Sequence, residues 1–152
     1  MSSAQVHRIV RLTARSSALL FAAAQAASIL RPAQRASRPL YAAFLVAHAA
    51  HFTAVTWYAV LTGGRRLFPG GRSLADVGGW PTMVGIVVAF SGLAVTGWLA
   101  KDPTLAAHHT WLPTAGRAAT GLIAAMFASV YLQQVPRQGA RRVRLQPAAA
   151  RV

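Results

Sequence analysis

The stretch PLYAAFLVAHAAHFTAVTWYAVLTGG, Pro39 to Gly64, decides the fold. Across 26 positions it carries no side chain that is fully ionised at neutral pH; its only titratable groups near that pH are His48 and His51. A helix of this length, rising about 1.5 Å per residue, crosses the ~30 Å hydrocarbon core of a bilayer with length to spare. Ionisable groups at membrane depth are costly, so they face a protein interior and usually serve a function. The two histidines are therefore the first candidates for chemistry.

The rest of the composition agrees with a membrane setting. The chain has 152 residues, 55% hydrophobic and only 12% charged, where a soluble domain carries about a quarter charged residues. The charges lie between long apolar blocks. A net charge of +14 would suggest nucleic acid in a soluble protein. Here the arginines flank apolar spans and no basic stripe alternates with aromatics, so the expected partner is the lipid headgroup and not nucleic acid. The absence of cysteine excludes disulfides, thiolate zinc sites, cysteine-ligated clusters and covalent haem attachment. Asp76 and Asp102 are the only carboxylates, too few for a carboxylate-pair hydrolase or an acidic proton relay.

Four spans are expected, over residues 9–30, 40–61, 80–100 and 113–132, in one domain of residues 1–136. The predicted fold class is an all-α, integral membrane four-helix bundle. Gly63-Gly64 and Gly78-Gly79 punctuate the span ends, and Asp102-Pro103 reads as an N-cap followed by a first-turn proline. Residues 103–109 are thus expected to form a short interfacial helix. A secretory signal peptide is the rival reading of the first span, but the apolar run continues past its candidate cleavage site at Ala22-Ala23-Ala24. Arg8, Arg11, Arg15, Arg65, Arg66, Arg72, Arg137, Arg141, Arg142, Arg144 and Arg151 share one side of this topology. Arg31, Arg35, Arg38, Lys101 and Arg117 share the other. The positive-inside rule then puts both termini in the cytoplasm, in a multi-pass protein of the inner (plasma) membrane. The basic tail, 137–152, is expected to be disordered or to lie on the membrane surface.

Tyr41, Phe44, His48, His51, Val55 and Tyr58 are spaced 3, 4, 3, 4, 3. That spacing puts them on one helical face, which should point into the bundle. Imidazole is a common metal and haem ligand, so His48 and His51 are candidate metal ligands. Sharing a face, they cannot clamp one haem from opposite sides. A second axial ligand would have to come from another helix, yet the third and fourth spans hold no histidine. His109, one turn before Pro113, is the remaining candidate if the short helix tucks inward. The bland alternative satisfies each histidine by a hydroxyl, a carbonyl or water within the bundle.

The order of these features resembles a known family. A basic-led first helix is followed by an Arg-x-x-Arg-Pro turn and Ala-Phe-x-x-x-His-x-x-His. Then come a Gly-Gly pair, a span containing Ser91, and Trp-Leu-x-x-x-Gly entering the last helix. This resembles the ferric-reductase-like transmembrane domain over roughly residues 14–137. The resemblance implies b-type haem held by histidines on facing helices and electron transfer across the membrane, with His48 and His51 at the second-helix positions. The chain departs from the pattern at Leu112-Pro113-Thr114-Ala115-Gly116, where relatives carry Leu-His before the glycine.

Two functional readings follow. In the first the bundle holds one haem b, with His48 or His51 as an axial ligand, His109 as the second, and Arg117 or Arg38 pairing with propionates. Electrons would come from quinol or a redox partner protein, since no flavin or nicotinamide domain is present. In the second the chain is a non-catalytic membrane subunit or scaffold in a homo- or hetero-oligomer. Its close helix packing would rest on Gly85, Gly92, Gly97, Gly116, Ala119 and Gly121. A transporter is the weakest reading, because the chain lacks inverted repeats.

Overall fold

The computed structural model describes residues 2–30, 32, 34–65 and 72–132, and these form an all-helical protein. Arg31, Arg66 and the whole basic tail, on which part of the arginine count rests, lie outside the described residues. The four long helices are α1 (Ser3–Ile29), α2 (Gln34–Thr62), α3 (Gly79–Leu99) and α5 (Leu112–Leu132), with a one-and-a-half-turn α4 (Pro103–His108) before the last. α2 and α3 are long and apolar enough to cross a membrane.

Successive long helices run antiparallel. One end of the bundle, here the proximal end, gathers the start of α1, the end of α2 and the start of α3; the His7 and Tyr58 rings meet there at 5.5 Å. At the distal end the start of α2 meets the end of α3. There Arg38 pairs with Asp102 at 2.6 Å and stacks over Trp98, 5.6 Å from the ring centroid.

Helix starts depart from the apolar boundaries because polar capping extends them. α1 begins at Ser3, well before Ile9. The Ser2 hydroxyl accepts from the Gln5 N–H at 3.3 Å and Gln5 Oε1 accepts from the Ser2 N–H at 2.8 Å, a reciprocal capping box. α2 begins at Gln34 and carries Pro39 inside. Pro39 is the sixth residue of the helix, past the first four unpartnered N–H groups, so it removes one intrahelical donor, the one that would meet the Arg35 carbonyl. Ser37 helps fix this turn, donating to the Ala24 carbonyl of α1 at 3.2 Å.

The proximal connection between α2 and α3 is closed by Leu74, which is buried. Its N–H donates to the Gly64 carbonyl, and its own carbonyl accepts from the Gly79 N–H, both at 2.8 Å. Gly64 adopts φ +72°, and a Cβ there would run into the Leu74 side chain. Only glycine meets both demands without strain.

The seam predicted on α2 faces inward. Tyr41, Phe44 and His48 are buried and His51, Val55 and Tyr58 half-buried. The core is an aromatic cluster toward the distal half. Phe44 lies 5.2 Å from both Phe21 and Tyr41, and Phe21 lies 5.6 Å from Phe127. Such pairs add about 0.5–1.5 kcal/mol each beyond the area they bury. Ala94 and Ile123 complete the cluster.

At the distal end Asp102 caps α4, accepting from the Thr104 and Leu105 N–H groups at 2.9 and 3.3 Å. The Leu105 amide above all, then Thr104 and the Arg38 charge, hold its carboxyl below the usual carboxylate range. A lowered folded-state pKa gives stability that is complete above the ordinary value and lost as pH falls through the folded one. In detergent, the thermal midpoint of the wild type should therefore fall more steeply below pH 4 than that of Asp102→Asn, which keeps the cap but not the charge. Parallel curves would show that the charge contributes nothing.

Candidate functional site

The histidine pair is built at the α1–α2 interface. Thr13 and Ser17, one turn apart on α1, face His51 and His48 on α2. Thr13 Oγ1 lies 3.2 Å from His51 Nδ1 and Ser17 Oγ 3.3 Å from His48 Nδ1. The Thr13 hydroxyl has one proton, and it is directed to the backbone carbonyls of Ile9 at 2.9 Å and Val10 at 3.1 Å. With that proton so directed, Thr13 Oγ1 accepts from His51 Nδ1–H; turned toward the ring instead, it donates to Nδ1. The first arrangement leaves Nε2 of neutral His51 as a lone-pair acceptor, the second leaves it a donor. Ser17 has no such competing acceptor, so its hydroxyl can serve His48 in either sense. His48 Nε2 is buried with no hydrogen-bond partner among the described residues. It belongs to a ring set T-shaped against Phe52 at 4.6 Å and 5.1 Å from Phe44.

Both imidazoles line a cavity of about 240 Å³ to which all four long helices contribute. Phe52, Ile86, Phe90, Met126, Phe127 and Val130 form its apolar walls, and Arg11 and Arg15 of α1 also border it. Both arginines are exposed, which puts them at its mouth. Neither has a carboxylate partner among the described residues. Asp102 is engaged by Arg38, and Asp76 accepts from the Ser73 N–H at 2.6 Å.

The structure brings His48 and His51 together with Arg11 and Arg15, and does not bring His109 or Arg117 to them. His109 is the exposed residue that ends α4, its ring 6.2 Å from Trp111. Arg117 is exposed, bonded to Thr114 Oγ1 at 3.3 Å. Both stand at the distal end. His48 lies ten residues along α2 from Arg38, which meets Asp102 there, a separation of roughly 15 Å. The short helix over Pro103–His108 forms, but it does not carry His109 inward.

A haem fits this site poorly. Opposite the imidazoles stand Ile86, Phe90 and Phe127, with Met126 the only heteroatom donor. The volume is also small: sites that enclose drug-sized ligands measure about 300–1,000 Å³. Among the described residues there is no group of three or more histidine, cysteine or acidic side chains that could hold a metal ion.

Four contributors were not singled out as site residues from sequence: Thr13, Ser17, Arg11 and Arg15. A signal existed for the hydroxyls. Val6, Val10, Thr13, Ser17, Phe21 and Ala24 are spaced 4, 3, 4, 4, 3, the stripe by which α1 packs on α2. Comparison with family models, with curated proteins and with solved structures finds no match for this chain.

Proposed function

We propose that this chain is a small multi-pass membrane protein whose His48–His51 cavity binds a quinol drawn from the bilayer, and that it serves as the membrane subunit of a redox partner rather than as a haem carrier. The membrane reading rests on the outer face. Only 22% of the apolar window of α2 and 17% of that of α3 are buried, whereas the core helix of a soluble protein is mostly buried, and this supports contact with lipid. Val46 is 73% exposed and Val88 66%, which water would penalise and lipid would not. α1 and α5 complete the bundle and cover the polar seam of α2.

The ligand reading rests on the cavity. An apolar cavity of about 150 Å³ holds benzene, so about 240 Å³ suits a substituted six-membered ring but not a macrocycle. The observation that carries it is His51. When Thr13 accepts from Nδ1–H, its Nε2 is an acceptor, and a quinol hydroxyl is the donor it matches. The arginines at the mouth favour the oxygen-rich rim of the ring and disfavour a cation. The protein supplies a seat and a proton acceptor; the electron acceptor belongs to a partner.

The test is direct. Protein purified in mild detergent from haem-replete cells should be colourless in both oxidised and dithionite-reduced spectra. A short-chain quinol added to it in nanodiscs should perturb tryptophan fluorescence saturably. A Soret band abolished by His48→Ala would overturn the proposal in favour of haem, and a linear, non-saturating fluorescence response would remove the quinol.

A further inference from the structure

A second set of polar groups lies at the distal end, separate from the histidine cavity. It borders a cleft of about 430 Å³ between α1, the end of α3 and the start of α5. Gln25 of α1, Lys101 after α3, and Arg117 and Thr120 of α5 face this cleft. Gln25 Nε2 is buried and has no hydrogen-bond partner among the described residues. Gly97 forms part of the wall, and a Cβ there would collide with the Tyr41 hydroxyl, so the phenol stands immediately behind that wall. Tyr41 is fully buried, and its hydroxyl faces the Thr120 side chain.

The chemistry of these groups is one-sided. An ammonium, a guanidinium and an amide N–H₂ are donors, and the phenol and the Thr120 hydroxyl can donate. No carboxylate borders the cleft. Asp102, next in sequence to Lys101, is turned to Arg38 and to the start of α4. A buried donor left without an acceptor is costly; the Gln25 amide in that state, beside two cations, is what an oxyanion would relieve. Burial pulls the Lys101 ammonium below its ordinary pKa, and a bound anion would reverse that.

We infer that this cleft is a phosphate-type oxyanion site, in which Lys101 and Arg117 supply charge and Gln25 and Thr120 supply directed donors. In the proposed orientation the site lies at the membrane surface, since Lys101 directly follows the apolar run of α3 and Trp98 and Trp111 mark the same level. A phosphate group reaches it there either as the headgroup of an anionic phospholipid or as a soluble phosphate.

The experiment uses the full chain in maltoside detergent at constant ionic strength and reads the thermal midpoint. One arm adds short-chain phosphatidylglycerol, the other inorganic phosphate against chloride. Ligand that binds only the folded state raises the midpoint in a saturable way. A rise with the lipid alone assigns a headgroup site, and a rise with inorganic phosphate assigns a solute site. In either case the rise should be lost in Lys101→Gln/Arg117→Gln and kept in Arg8→Gln/Arg65→Gln, which removes equal charge at the proximal end. If neither ligand shifts the wild type, or if the shift survives the Lys101/Arg117 pair, the inference is overturned. The wild-type titrations decide the matter even if the double variant fails to fold. Both arms are independent of quinol binding.

Discussion

Changing His51 to leucine lowers the affinity for a short-chain quinol about tenfold or more while leaving the fold in place. The size follows from the loss of one hydrogen bond in a largely apolar cavity, roughly 1.5 kcal/mol or somewhat above, and ~1.4 kcal/mol is a factor of ten. The fold survives because leucine fills nearly the same space. Thr13 also keeps its own bonds to the Ile9 and Val10 carbonyls. Thr13→Val should act in the same direction but more weakly: it removes the acceptor of His51 Nδ1–H and lets the ring adopt either tautomer. A fluorescence titration in nanodiscs checks both. Equal affinity in wild type and His51→Leu would remove the imidazole from the ligand's contacts.

The second large effect is on stability. Gly116 packs against Ala100, and a Cβ at Gly116 would coincide with the Ala100 methyl. Gly116→Val should therefore cost at least the roughly 1–3 kcal/mol typical of an overpacked contact. Ala100→Gly in the same chain should recover a large part of the loss, since the clash is between these two groups. Gly85→Ala and Gly92→Ala give the contrast. A Cβ at either meets nothing within 4 Å, so the gain in helix propensity, up to about 1 kcal/mol, should stand uncompensated. Chemical denaturation followed by circular dichroism orders the four variants. If Gly116→Val were as stable as Gly92→Ala, the α3–α5 contact as described would be wrong.

That contrast shows where sequence reading succeeds and where it stops. The stripe from Tyr41 to Tyr58 announced its inward face through spacing alone, and α2 presents it so. Glycines were less legible. Five on the last two long helices looked alike in sequence, yet only Gly97 and Gly116 lie at close approaches, against Tyr41 and Ala100; Gly85, Gly92 and Gly121 border open space. Helix phase relative to a neighbour decides this, and composition does not reveal it. The same holds for the site. His48 and His51 were visible because imidazoles are rare in apolar runs. Arg11 and Arg15 enter the sequence reading only through the topology count, and only the pairing of α1 with α2 puts them at the mouth of the same cavity. His109 failed to join for a reason of length: its one-and-a-half-turn helix ends at the distal surface, and the imidazole pair lies too far along α2 to be reached.

The central claim is that α2 and α3 lie in the bilayer, with the histidine cavity enclosed among the four long helices. The chain has no cysteine, so single cysteines report without background. Val46→Cys and Val88→Cys sit on outward faces at mid-helix, Thr104→Cys on the exposed distal helix and Ala75→Cys on the exposed proximal connection. A thiol must ionise to react with a maleimide, and hydrocarbon suppresses that. A membrane-impermeant maleimide applied to native membranes should leave Val46→Cys and Val88→Cys unlabelled until detergent denaturation. It should reach Thr104→Cys and Ala75→Cys from opposite faces. Rapid labelling of Val46→Cys and Val88→Cys in intact membranes, or of Thr104→Cys and Ala75→Cys from the same face, would contradict the account.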